Sequence, residues 1–241
     1  RDFCLSRGLG DVYKRQIYLL FHGLSPYSGI SKKILHQVKG FEACGHRVSL
    51  CTYSIADNGH RVRMINNEII EDYGTGKPAA AKRRVSYQCI YRYAVTHQVE
   101  LIYVRSFHNA NPFTIRLFSK LRKAGIKIAM EIPTYPYDSE YAGFPLVTRL
   151  GIQVDKVFRK TLAKHVNAIV TFSDYHCIFG QRTIQISNGV DFDSIPLKKT
   201  VAKNTSVIHL LGVAEVHYWH GYDRLIEGCL LYTSPSPRDR Q

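Results

Sequence analysis

Short apolar runs alternate with helix-period segments along most of this chain, and that alternation narrows the choice of fold more than any other feature. IYLLFHG begins at Ile17, LIYVR at Leu101, IKIAMEI at Ile126 and NAIVTF at Asn167. Runs this short, without polar alternation, suit strands buried on both faces. After the first run a loop, LSPYSG, leads to Ile34, Leu35, Val38 and Phe41 at helical spacing. The helix stops at CGH, where Gly45 supplies a left-handed cap. Residues 47–55 then read as a second strand. A strand–helix–strand crossover implies parallel neighbours.

The pattern continues. RVRMINNEIIEDYG predicts a hairpin turning at Asn66 and Asn67. A basic amphipathic helix is expected over about residues 81–98, and another through Phe113, Leu117, Phe118 and Leu121. The loop PTYPYDSEY follows the run at Ile126, and a long amphipathic helix is expected over about residues 145–164. NAIVTF and TIQIS predict two further strands, separated by a short helix ending near Gly180. The expected fold is α/β, a doubly wound parallel sheet over residues 17–195. The polar, Lys-rich stretch around residues 196–205 reads as a linker. VIHLLGVA, from Val207, and the helix from His220 onward then read as the truncated start of a second α/β domain over residues 206–228.

Both ends break the pattern. CLLYTSPSPRDRQ, from Cys229, follows a helix-period segment with no apolar spacing of its own. Its reverse translation matches a transposon-end sequencing adapter, and SRGLGDVYKRQ, from Ser6, matches the complementary strand. Residues 1–16 and 229–241 are therefore expected to be adapter-derived and are set apart from fold reasoning. They carry six basic and three acidic residues, so removing them lowers the formal charge from +14 to +11. A basic chain suits phosphorylated substrates, an anionic membrane face or nucleic acid. No recognition motif or zinc module supports nucleic acid. Cys44, Cys51, Cys89 and Cys177 show no metal-ligand spacing and read as reduced, buried thiols. No metal or cofactor is expected. No apolar run reaches the length of a membrane span.

Several stretches carry a resemblance. SPYSGISKKILHQVKGFEACGHRVSL, LIYVRSFHNANPF, MEIPTYPYDSEY, TIQISNGVDFDSI and HGYDRLIEG occur in an order that resembles the retaining, nucleotide-sugar-dependent glycosyltransferases of family 4. The third is similar to a form found in bacterial members that build surface polysaccharides. The resemblance implies the two-domain GT-B architecture, with a Rossmann-like acceptor-side domain here and the donor domain cut off early. It implies transfer of a sugar from a nucleotide-sugar donor to a glycan or lipid-linked acceptor in polysaccharide or glycoconjugate biosynthesis, at a cytoplasmic location or the inner face of the membrane. Two alternatives stand beside it: a non-catalytic membrane-surface interaction module, and a nucleotide-sugar epimerase of the GT-B type.

In open α/β sheets, ligands bind beyond the carboxyl ends of the strands. The loop from Gly23 to Gly29 lies there and brings backbone N–H groups toward phosphate, although Gly29 equally suits a plain turn. His108 and Glu131 follow strands. They suit an acceptor-hydroxyl base and its hydrogen-bonding carboxylate, or a surface histidine and a Glu paired with a neighbouring Arg. Arg105 suits acceptor phosphate or that pairing. Tyr135 and Tyr137 suit stacking on a sugar or packing of their Pro-rich loop. For the donor phosphates the resemblance points to Gly212 and His220. There the chain departs from the family pattern: Val213 follows Gly212 where an Arg is common, and His220 precedes Gly221 where a Lys is common. The helix bearing Arg149, Lys156, Arg159, Lys160 and Lys164 has Val147, Leu150, Val154, Val157 and Phe158 as its apolar side. It suits contact with an anionic membrane or a solvated face over an ordinary core helix.

Overall fold

A computed structural model describes residues 14–105, 108–138, 143–189, 191–194 and 221–233. The chain divides into two compact units, Arg1–Ser194 and Ile195–Gln241. The first is α/β. Its strands are β1 (Arg15–Leu19), β2 (Arg47–Ile55), β3 (Arg61–Ile65), β4 (Glu68–Asp72), β5 (Leu101–Arg105), β6 (Lys127–Ile132), β7 (Ala168–Thr171), β8 (Cys177–Ile178) and β9 (Gln181–Gln185). Its helices are α1 (Gly29–Ala43), α2 (Gly76–Val85), α3 (Gln88–Thr96), α4 (Pro112–Lys123) and α5 (Leu146–Ala163). The second unit contributes α6 (Tyr222–Thr233).

The nine strands form one mostly parallel, mixed sheet in the order β4-β3-β2-β1-β5-β6-β7-β9-β8. From β2 to β9 every neighbouring pair is parallel, so six carboxyl ends share one rim. Antiparallel strands flank these six: β3 and β4 form the expected hairpin, while the antiparallel pairing of β8 with β9 departs from the expected parallel form. Each of these is reached by a tight turn, too short to carry a crossover helix. Asn66 and Asn67, both at positive φ, make the turn into β4.

Period-two alternation divides the core. Tyr18, Leu20, Val48, Tyr103 and Val170 pack with Ile34 of α1 on one face. On the other, Ile17, Leu19, Ile102, Val104, Ile128 and Met130 pack with Ile90 of α3, Leu117, Phe118 and Leu121 of α4, and Leu162 of α5. β1 supplies alternate residues to both, which is why its run is apolar throughout.

Four further expectations are corrected. The single helix over residues 81–98 is two helices. Ser86 is extended (φ −102, ψ 109) and turns the ring of Tyr87 inward, 5.4 Å from Phe21. The short helix before Gly180 is a β8–β9 hairpin, whose turn residues Phe179 and Gly180 both have positive φ (53 and 80). β1 starts at Arg15, because Arg15 and Gln16 extend the backbone ladder with Arg47 and Val48 whatever their side chains. α6 runs past Gly228 to Thr233, since Leu and Tyr are compatible with a helix and the Ser-Pro stretch comes later. The strand expected from Val207 lies outside the described residues, as do Gly212 and His220.

α5 departs in a different way. Its core face is Ile152, Asp155, Leu162 and Ala163. Val147, Leu150, Val154 and Val157, the side the sequence marks as apolar, point outward at 45–70 % exposure, and Phe158 is half-buried. At 100° per residue the outward stripe lies nearly opposite the core face.

Candidate functional site

Arg105 and Glu131 are opposite one another at the carboxyl ends of β5 and β6. The Glu131 carboxylate is fully buried. Its Oε1 accepts from Arg105 Nη1 and lies 3.6 Å from Lys33 Nζ. Its Oε2 accepts from Tyr103 Oη at 2.7 Å and from Gln37 Nε2 at 3.0 Å. Gln37 in turn accepts from Tyr18 Oη at 2.6 Å. Lys33 and Gln37 are one turn apart on α1, while Tyr103 and Arg105 are two apart on β5, so helix and sheet periods deliver them to the same point.

The electrostatics follow from this packing. Burial, reinforced by the Glu131 charge, pushes the Tyr18 and Tyr103 phenols well up, so both remain protonated donors. Burial pulls the Lys33 ammonium down; Glu131 opposes this and Arg105 adds to it. Lys33 also lies 3.6 Å over the Phe172 ring. Glu131 is thus saturated by donors. Acting as a base would require it to shed one of them, whereas as a fixed counter-charge it holds Lys33 and Arg105 at the rim. Two cations and one anion leave a positive balance there. His22, just beyond β1, donates from Nδ1 to Gly23 O at 2.7 Å, and burial lowers its pKa.

His108 follows β5 on the same rim but against a different helix. A Cβ built on Gly151 of α5 would stand 3.9 Å from its Cδ2. The loop is fixed because Ala110 N donates to Asp155 Oδ1 at 2.9 Å, and burial raises that carboxyl. Asn111 then caps α4 in a reciprocal box with Thr114. His108 holds φ at +37, in the left-handed region that non-glycine residues seldom occupy, at a cost of about 1 kcal/mol or more. Burial lowers its pKa to about 4, so near neutral pH the imidazole is uncharged, a hydrogen-bonding group that is a weaker base than a free histidine.

The remaining site residues separate by role. Gly29 opens α1, and a Cβ there would meet nothing within 4 Å. The preceding Ser28 makes no side-chain cap, so the first-turn N–H groups receive none from it. Tyr135 packs edge-on to Tyr175 and Phe179, at 4.9 and 5.4 Å. Tyr137 donates to Asp155 Oδ2 at 2.6 Å. Both rings therefore brace the loop that follows β6. Ser173 follows β7 on the shared rim and meets Thr171 Oγ1 at 2.8 Å. Sequence reasoning missed Lys33, Gln37, Tyr18 and Tyr103. Their signal was the i, i+4 spacing on a helix beside a strand whose alternate positions are Tyr and Arg. Among the described residues no three His, Cys, Asp or Glu side chains stand together to hold a metal ion.

No protein-family model matches the chain, and neither a curated protein nor a solved structure matches it.

Proposed function

We propose that the first unit is the acceptor-side, Rossmann-like domain of a retaining GT-B glycosyltransferase, which moves a sugar from a nucleotide-sugar donor to a glycan or lipid-linked acceptor. The observation that carries this reading is the meeting of Lys33, Arg105 and Glu131 on the carboxyl rim of a largely parallel sheet, in the unit whose α1 begins at an open glycine, with His108 following β5 on the same rim but packed toward α5. The order of the five motifs along the chain supports it. In this reading His108 is the group that takes the acceptor proton or orients the hydroxyl. Lys33 and Arg105 present positive charge to bound anionic groups, and Glu131 positions them. The donor phosphates belong to the domain that residues 206–228 begin. The chemical step rests on electrostatic stabilisation of the departing nucleotide diphosphate.

A membrane-surface acceptor is supported by the outward apolar stripe of α5 with Arg149, Lys156 and Lys160 along its flank. Among the described residues no helix is long and apolar enough to cross a membrane, so contact would be peripheral.

The test is sugar transfer by the gene product that includes the complete second domain, supplied with labelled nucleotide sugars and membrane extracts. His108→Ala is expected to lower kcat at least about 100-fold with little change in KM for the donor. Undiminished turnover removes His108 from the chemistry. Interconversion of the nucleotide sugar without an acceptor establishes the epimerase instead. Absence of any turnover, with vesicle binding retained, establishes the interaction module.

A further inference from the structure

We propose that Arg61 and Arg83, arranged with the buried Arg63 around Tyr53 and with Arg84 adjacent to Arg83 on α2, form a binding site for a phosphate or diphosphate group. The proposal rests on the glycosyltransferase reading only for its biological source, a phosphorylated acceptor. The site itself is argued from four side chains.

Their placement follows from β3 and α2. Arg61 and Arg63 are two apart on β3, opposite Ile55 and Tyr53 of β2, and therefore share one face of the sheet. Arg61 Nη1 donates to Tyr53 Oη at 2.7 Å. The Arg83 guanidinium lies 4.2 Å over the Tyr53 ring. One tyrosine is thus the shared floor for two guanidinium groups. Beneath, Arg63 is 1 % exposed and donates from Nη1 to Leu20 O at 2.7 Å, just past the end of β1. The site consequently borders the β1–α1 loop, where Tyr53 N donates to His22 O.

What the cluster lacks is a counter-charge. Among the described residues none of these four arginines forms an ion pair with a carboxylate. The nearby acids of β4 turn elsewhere, Asp72 to His60 at 2.7 Å and Glu71 to Arg92 at 3.7 Å. The Nε atoms of Arg63 and Arg83 are buried without a hydrogen-bond acceptor. Burial lowers the Arg83 pKa, and the charges of Arg84, Arg61 and Arg63 push the same way. Gathering like charges with unused donors is unfavourable unless an anion completes the set. The guanidinium fork matches phosphate oxygens, and several cations on one spot favour a dianion over a single carboxylate. A lipid diphosphate and a free sugar phosphate would both present that group.

Thermal unfolding and calorimetric titration of the 241-residue chain with inorganic pyrophosphate, at constant ionic strength set by sodium chloride, test the site directly. The wild type is expected to show a saturable rise in Tm. Arg83→Gln should unfold at the same or a higher temperature without the anion, because a like charge is gone, and should bind pyrophosphate about ten-fold more weakly or worse. Arg61→Gln, at the guanidinium that donates to Tyr53 Oη, serves if Arg83→Gln fails to fold. Equal pyrophosphate affinity in the wild type and the variants would overturn the proposal, as would a wild-type Tm no higher than in chloride alone. Parallel titrations with a short-chain lipid diphosphate and a hexose 1-phosphate identify the source. Binding of either supports the site, and binding of neither overturns it. Anion binding that persists where sugar transfer is absent counts against the glycosyltransferase reading and leaves the site standing.

Discussion

Arg105 and Glu131 meet across adjacent parallel strands in register, with the acid wholly excluded from solvent and Lys33 reaching the same carboxylate oxygen from α1. The pair therefore ties two strands and a helix together at the edge where ligands bind in such sheets. Replacing Glu131 with Gln leaves Arg105 and Lys33 without their counter-charge while preserving shape. Urea unfolding should show a loss of about 3 to 5 kcal/mol. A double-mutant cycle with Arg105→Met should show strong coupling, because removing both charges leaves less uncompensated than removing one.

His108 gives a pH signature with a defined sign. The unfolded chain takes up its proton near 6.5 and the folded chain only near 4. Between these values the unfolded state binds more protons, so His108 contributes a loss of stability as pH falls through this window and none above it. His108→Gln should flatten that part of the stability profile. Chemical denaturation at half-unit pH steps measures the difference, and parallel profiles for the two proteins would show that His108 does not titrate as its burial implies.

Gly23 and Gly29 bracket the loop after β1 but should respond oppositely to alanine. At Gly23 a Cβ would stand 2.8 Å from the carbonyl oxygen of Tyr53, a backbone atom that cannot swing aside. Gly23→Ala should cost about 1 to 3 kcal/mol. Gly29→Ala meets open space on an exposed first turn and should be neutral or stabilising by up to about 1 kcal/mol. Thermal melts of both variants decide this. A ligand that approaches the start of α1 would make Gly29→Ala harmful to binding alone.

The outward face of α5 separates membrane contact from folding. Leu150→Asp and Val157→Asp alter residues that are 57 % and 70 % exposed, so stability should change by no more than about 0.5 kcal/mol. Sedimentation with vesicles containing phosphatidylserine should drop sharply for both. Raising the salt concentration should weaken wild-type binding by screening Arg149, Lys156 and Lys160. Unchanged sedimentation of the Asp variants would assign the stripe to another partner.

Fold class was legible because each buried strand is a compact apolar run and each crossover has a helical period. β5, β6 and β7 appear where those runs are, and the Asn66–Asn67 turn was marked by its own chemistry. The errors share a cause. The β8–β9 turn uses Phe179, an aromatic residue whose left-handed backbone no propensity signals. The orientation of α5 was hidden because periodicity identifies an apolar stripe without saying which way it faces. Asp155, alone among acids on that core face, is buried because Tyr137 and Ala110 donate to it, and both lie far away in sequence. The same holds for the site. Glu131 and Arg105 were marked by strand ends, but the donors from α1 could be known only once that helix lay over the sheet.

The two antiparallel margins of the sheet bear on assembly. β4 presents Glu68, Glu71 and Asp72 within five residues, and at the opposite side β8 is two residues long. Neither offers a neighbouring molecule a long, uncharged row of amides and carbonyls to continue the ladder. Strand addition at either described edge of the sheet is thereby discouraged, and with it fibrous growth from both directions.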